Sequence, residues 1–117
     1  MTPFPELDSG TLPPILRSGS VKLIAAAVGC CFGFTWEEMA GPSRSKTLAW
    51  ARQLVYWIAR HDAGRGPSVI GRALNRDHST VVHGQAVVER RRRESPTIKA
   101  EIEKLRAVCR GAGHVRV

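Results

Sequence analysis

Few of the marks of a metal site, a motor or a membrane span occur in this chain of 117 residues. Its three cysteines, Cys30, Cys31 and Cys109, are odd in number and have no C-x-x-C spacing. They are therefore expected as reduced, mostly buried thiols of a cytoplasmic protein rather than as a zinc site or a disulfide frame. His61, His78, His83 and His114 are not set against cysteine at metal-ligand distances, so neither a metal nor a cofactor is expected. There is no G-x-x-x-x-G-K-[ST] phosphate loop, which argues against a nucleotide ligand. With no G-x-S-x-G elbow and no paired-carboxylate arrangement, an enzyme is not expected. The apolar run Leu23 to Phe34 is too short to cross a bilayer. Met1 to Asp8 lacks a basic n-region, so no secretory leader is expected. No segment has a strand period and no internal repeat stands out.

Acids are scarce as well. Ten Asp and Glu face 18 Lys and Arg, for a net charge of +8 and a sequence pI near 10.5. The excess is local. Between Arg44 and Arg93 eleven basic residues meet three acids, so this stretch carries the whole net charge. Clustering of that kind argues for a polyanion, nucleic acid before an anionic membrane. Fourteen of the 18 cations are Arg, whose planar fork suits phosphates and guanine edges better than an ammonium does.

The periodicity predicts helices. Ser20 caps a first helix through about Cys31, ended by Gly33. Thr35-Trp36-Glu37-Glu38 matches a capping box opening a single turn, stopped by Gly41-Pro42. Ser43 or Ser45 starts a long helix to about His61. It has two apolar stripes, Leu48, Ala51, Val55 and Ile58, and Trp50, Leu54 and Trp57. Such a helix must be covered on most sides and is expected at the centre of the core. The three tryptophans (Trp36, Trp50, Trp57) are expected in that core rather than as base-stacking platforms. His61, at the end of the helix, reads as a C-terminal cation site. After the break at Gly64 and Gly66, Pro67 opens a short helix to Leu74, with Val69, Ile70, Ala73 and Leu74 facing inward.

Asn75-Arg76 forms a tight turn, and a fifth helix runs from about Asp77 to Glu94. Its apolar positions are read as Val81, Val82, Ala86 and Val87. Asp77 and Ser79 are residue types that cap helix starts, so the tip presents a cation (Arg76), an acceptor (Asp77), an imidazole (His78) and two hydroxyls (Ser79, Thr80). One reading is an ordinary surface helix with a good cap. The other is the base-reading tip of a recognition helix, the second helix of a helix-turn-helix. Arg90 to Arg93 point ~100° apart in turn, so one or two suit phosphate and the others a solvated face. His83 either caps the core or lies near a nucleic-acid backbone. Ser95-Pro96 caps a last helix with Ile98, Ile102, Leu105 and Cys109 on one face. The expected organisation is a Pro-rich, partly flexible arm (1–19), an all-α domain of five to six helices (20–110) and a frayed tail (111–117). The arm either docks through Phe4, Leu7, Ile15 and Leu16 or stays disordered.

Three ordered blocks carry a family resemblance. Arg76-Asp77-His78-Ser79-Thr80-Val81-Val82-His83, Arg44-Ser45-Lys46-Thr47 and Ala49-Trp50-Ala51-Arg52-Gln53 resemble the C-terminal DNA-binding domain (domain IV) of the bacterial replication initiator DnaA. The resemblance spans Val28 to Cys109 and suggests a free-standing relative of that domain. It implies a Trp-repressor-like helix-turn-helix with a basic loop, bound to double-stranded DNA. It implies that Asp77, His78 and Ser79 read bases in the major groove, and that Arg44 enters the neighbouring minor groove. Lys46, Arg52, Gln53, Arg60, Ser68, Arg76 and Thr80 would hold phosphates.

The chain also departs from the family pattern. Pro42 and Ser43 stand where further basic residues are usual, and the turn at Asn75 is one residue short. Ser68 replaces a frequent Pro. Gly84 stands in for Ala, at up to ~1 kcal/mol in a helix interior. The preferred DNA site is accordingly expected to differ from the initiator's box. The expected role is a sequence-specific transcription regulator located with the nucleoid, an activator of prophage-like or gene-transfer-agent genes. It would meet another DNA-bound regulator or RNA polymerase through the arm or the last helix. The alternatives are a modulator of replication initiation at DnaA-box-like sites, and a protein-binding adaptor with vestigial DNA binding.

Overall fold

A computed structural model describes residues 20–113; the expected arm, and the part of the expected tail from residue 114 onward, lie outside the described residues. The described residues form six helices with no strand among them. They are α1 (Ser20–Phe32), α2 (Trp36–Ala40), α3 (Lys46–Ala63), α4 (Pro67–Leu74), α5 (His78–Glu94) and α6 (Pro96–Gly113). The expected all-α fold is thus observed. The last helix extends to Gly113.

α3 is central. Leu48, Ala51, Leu54, Val55, Tyr56, Trp57, Ile58 and Ala59 are all buried, and the helix packs against α1 on one side and α5 on the other. α1 contributes Val21, Ile24, Ala25 and Val28, spaced for one face. α6 closes the bundle with Ile102, Leu105 and Cys109 buried and Ile98 packed beside them. Of the tryptophans, Trp57 is buried, whereas Trp36 and Trp50 are only half-covered. Each of those two carries a cation over its ring: Lys22 over Trp36 and Arg91 over Trp50.

The helix starts follow local chemistry. Thr35 and Glu38 complete the capping box reciprocally. Ser45 Oγ accepts from the Leu48 amide at 3.2 Å, and Ser95 Oγ accepts from the Ile98 amide at 3.2 Å. The caps of α3 and α6 are therefore side-chain caps of ordinary type.

Two expectations of burial change. Cys30 and Cys31 are exposed, and only Cys109 is buried, its thiol pushed up to about 12 chiefly by burial. Val82 and Ala86 face solvent rather than the core. The buried residues of α5 are Val81, Gly84, Gln85, Val87 and Val88; Val81, Gly84, Gln85 and Val88 make a run at i, i+3, i+4 and i+7 that the glycine and glutamine disguise as polar.

Candidate nucleic-acid interface

The turn between α4 and α5 is built by backbone. Asn75 takes the left-handed conformation (φ 57°, ψ 46°) and ends α4, a conformation that Asn adopts more readily than most residues. The Arg76 amide donates to the Gly71 carbonyl at 2.8 Å. A Cβ on Gly71 would run into the Arg76 carbonyl oxygen, so the close return of the chain requires glycine there. One residue in αL thus makes the shortened turn possible.

The tip of α5 is open. Asp77 has N-cap backbone geometry (φ −68°, ψ 151°), but its side chain makes no capping hydrogen bond. The expectation that its carboxylate caps the helix is corrected: the carboxylate is exposed and uncommitted. Ser79 lies inside the helix rather than at its cap. His78, Ser79 and Thr80 are exposed, and the first-turn amides receive no side-chain cap. Farther along, Ser79, Val82, His83, Ala86 and Arg90 form one continuous exposed face, spaced at i, i+3, i+4, i+7 and i+11. This settles His83, which does not cap the core.

The basic loop precedes α3. Arg44 and Lys46 are both exposed, on either side of the Ser45 cap. Ser68 is exposed in the first turn of α4, at the far end of that helix from the turn, roughly 10 Å away along the axis. Arg60 is exposed on α3 and donates to Gln85 Oε1 at 3.5 Å. The amide of Gln85 in turn donates to the Tyr56 carbonyl at 3.1 Å. Gln53 is half-buried, its stem beside Gly84.

Two expected phosphate ligands have other work. Arg52 is only 5% exposed. Its Nε donates to the Met39 carbonyl at 2.8 Å, Nη1 to Ser43 at 2.6 Å, and Nη2 to Glu38 and Gly41 at 2.8 Å each. A guanidinium removed from water needs such partners, and these include carbonyls left open at the end of α2. Burial holds its pKa below the ordinary arginine range, with Arg76 adding to the effect. Arg76 is half-buried, with Nη1 on the Leu74 and Asn75 carbonyls at 3.1 and 3.0 Å and Nη2 on the Gly41 carbonyl at 2.5 Å. Both guanidiniums are thus engaged with backbone carbonyls.

The sequence reading missed Tyr56 and Gln85. Tyr56 is buried with its hydroxyl against Arg76 and Arg52; burial raises its pKa, and those two charges oppose the shift. Gln85 sits four residues after Val81 and three before Val88, so its spacing already placed it inward. His61 lies in the last turn of α3, its ring tilted by 33° against Trp57 with centroids 4.2 Å apart. Burial holds its pKa below the usual value, and the charge of Arg60 adds to that, which disfavours the expected cation at this helix end. Of Arg90 to Arg93, Arg91 and Arg92 lie over Trp50 and Trp57, Arg92 and Arg93 approach Glu89, and Arg90 is exposed.

A short helix, a tight turn and a second helix with an open polar tip, beside a basic loop, define a helix-turn-helix domain of the DNA-binding class. Residues 21–88 match the family model described as bacterial dnaA protein helix-turn-helix. The chain belongs to that family. It is 32% identical over 102 residues to the chromosomal replication initiator protein DnaA of Thermomicrobium roseum, covering 86% of this chain and 22% of that protein. It is 29% identical over 89 residues to the protein of the same name from Desulfotalea psychrophila, covering 76% of this chain and 19% of that protein. The chain thus spans only a small part of the length of these relatives.

Proposed function

We propose that the chain binds specific sites in double-stranded DNA and regulates transcription from them. Asp77, His78 and Ser79 enter the major groove. Asp77 accepts from a cytosine amino group, His78 packs on a thymine methyl, and Ser79 contacts either kind of edge. Arg44 enters the adjacent minor groove. Lys46, Arg60, Thr80 and the first-turn amides of α4 near Ser68 hold phosphates, and Gln53 supports them from its half-buried position. The observation that carries this reading is the uncapped, exposed tip of α5 next to an exposed basic loop. An ordinary surface helix would commit the Asp77 carboxylate to its cap.

The regulatory role we favour is activation, of prophage-like or gene-transfer-agent type genes, with α6 offering a partner surface to another regulator or to RNA polymerase. Ala100, Lys104, Ala107 and Val108 are exposed on that helix. The second reading, occupancy of initiator-like boxes to modulate replication, is favoured by the names of the relatives. Chromatin immunoprecipitation with sequencing separates the two, through promoters in one case and the origin in the other. His78→Ala and Arg44→Ala test the binding itself on a duplex selected from a random library. Each should lose ~1–3 kcal/mol per base contact. Unchanged affinity in both would favour a protein-binding adaptor.

A further inference from the structure

The Gly41 carbonyl oxygen accepts from Arg52 Nη2 and Arg76 Nη2 at once. One atom thus joins three parts of the chain: the loop that leads to Arg44, the central helix, and the turn that leads to Asp77. The neighbouring Ala40 carbonyl accepts from Asn75 Nδ2 at 3.3 Å, a second tie between the same loop and the same turn. No ion pair of Arg52 or Arg76 occurs among the described residues. Their hydrogen bonds go instead to carbonyls of residues 38–43 and 74–75, with the Tyr56 hydroxyl also against Arg76. A carbonyl has two acceptor lone pairs, so Gly41 is saturated, and moving either arginine to a phosphate would take a donor away from these carbonyls.

Resting on the reading above, we propose that Arg76 and Arg52 are positioning residues that lock the basic loop to the helix-turn-helix, so that the minor-groove and major-groove contacts hold one fixed spacing on DNA. Arg52 fixes the loop to α3 from below. Arg76 fixes it to the turn. The loop and the helix tip then present Arg44 and His78 as one rigid unit, and a site is accepted only when its two elements lie at the matching offset. This is a specificity device made of backbone carbonyls, and it gives arginines next to the reading residues a role with no DNA contact.

The test uses the full chain and Arg76→Met, which keeps the stem and removes the donors, with Arg76→Lys as the conservative variant. Sites are selected from a random duplex library and sequenced. The wild type should enrich an A·T-rich stretch at one fixed offset from the major-groove element. Arg76→Met should enrich the same two elements at two or more offsets, and Arg76→Lys should narrow the spread again. A single offset retained in Arg76→Met overturns the proposal. So does an even loss of affinity with a salt slope lower by about one, the signature of a lost phosphate contact. A wild type that enriches nothing overturns the DNA-binding reading, and the spacing device with it.

Hydrogen exchange without DNA gives an independent arm. The amides of Ser43, Arg44 and Ser45 should exchange at least about tenfold faster in Arg76→Met, while the α3 core amides keep their protection. Equal exchange in the loop would show that the tie does not hold it.

Discussion

Gly84 faces the ring of Tyr56 across the α3–α5 contact, and a Cβ there would lie 2.6 Å from Tyr56 Cδ2 and 3.0 Å from Cε2. The ring cannot retreat easily, since Tyr56 is 2% exposed and its hydroxyl lies against Arg76 and Arg52. Two effects compete in Gly84→Ala. Helix propensity favours Ala by up to ~1 kcal/mol, whereas overpacking a fitted contact costs typically ~1–3 kcal/mol. Packing wins. Gly84→Ala should be less stable by about 1 kcal/mol, seen as a thermal midpoint lower by roughly 4–8 °C. A midpoint at or above the wild type would mean that the ring has room to move.

Arg106 holds α6 to the end of α3. Its Nε and Nη2 donate to the two oxygens of Asp62 at 2.9 and 2.5 Å, and its guanidinium lies 5.3 Å from the Trp57 ring centre. Both partners are largely covered (24% and 16% exposed), so this pair is worth more than a surface ion pair. Arg106→Ala should lose roughly 1.5–3 kcal/mol in chemical denaturation. Arg106→Lys should recover only part of it, because an ammonium cannot match both oxygens. Full recovery by Lys would show that charge alone matters here.

The helices and most caps were legible because each rests on local chemistry: Thr35 with Glu38, Ser45, Pro67, Ser95. The burial of Arg52 was legible too, in principle. It lies four residues after Leu48 and three before Val55, on the apolar ridge, and the spacing said inward while the residue type said outward. Gln85 had the same disguise on α5. Other features had no signal in the chain. Arg76 meets Gly41 at a separation of 35 residues, and Tyr56 meets Gly84 only because two helices cross there. Asp77 was misread for the opposite reason: its position is the cap position, but its side chain does not bond back. Local pattern fixes which element forms; whether a polar group is spent or free depends on which distant backbone it meets.

His61 should make stability depend on pH. Its ring packs on Trp57, with Arg60, Arg106, Glu89 and Asp62 around it. Burial first, and then the charge of Arg60, lowers its folded pKa below the unfolded value of about 6.5. The unfolded chain therefore takes up the proton first as pH falls. The stability linked to a neutral His61 is fully present above about pH 6.5 and is lost as pH drops through the folded value. Urea midpoints measured from pH 7 to 5 should fall for the wild type and fall less for His61→Gln. Equal slopes would rule His61 out as the titrating group. Glu89, lowered first by the hydrogen bond from Trp57, acts in a separate window below its own ordinary value of 4.5.

The commitment of Arg52 and Arg76 to carbonyls lowers the number of counterions that DNA binding can release. Counting every basic residue near the tip and the loop would suggest five or six neutralised phosphates and a slope of log K against log salt near −5. With those two arginines withdrawn, the exposed cations assigned to DNA in the proposal are Arg44, Lys46 and Arg60. Hydroxyls and amides hold phosphates without releasing ions. The expected slope is therefore about −3, at ~0.9 per cation. Fluorescence anisotropy on a selected duplex, from low to moderate salt, measures it. Lys46→Ala should reduce the slope by about one. Arg52→Met should leave it unchanged, even where affinity falls because the loop shifts. A slope near −5 that drops by about one in Arg52→Met would return that guanidinium to the phosphates, whereas a flat response would take the basic loop off DNA altogether.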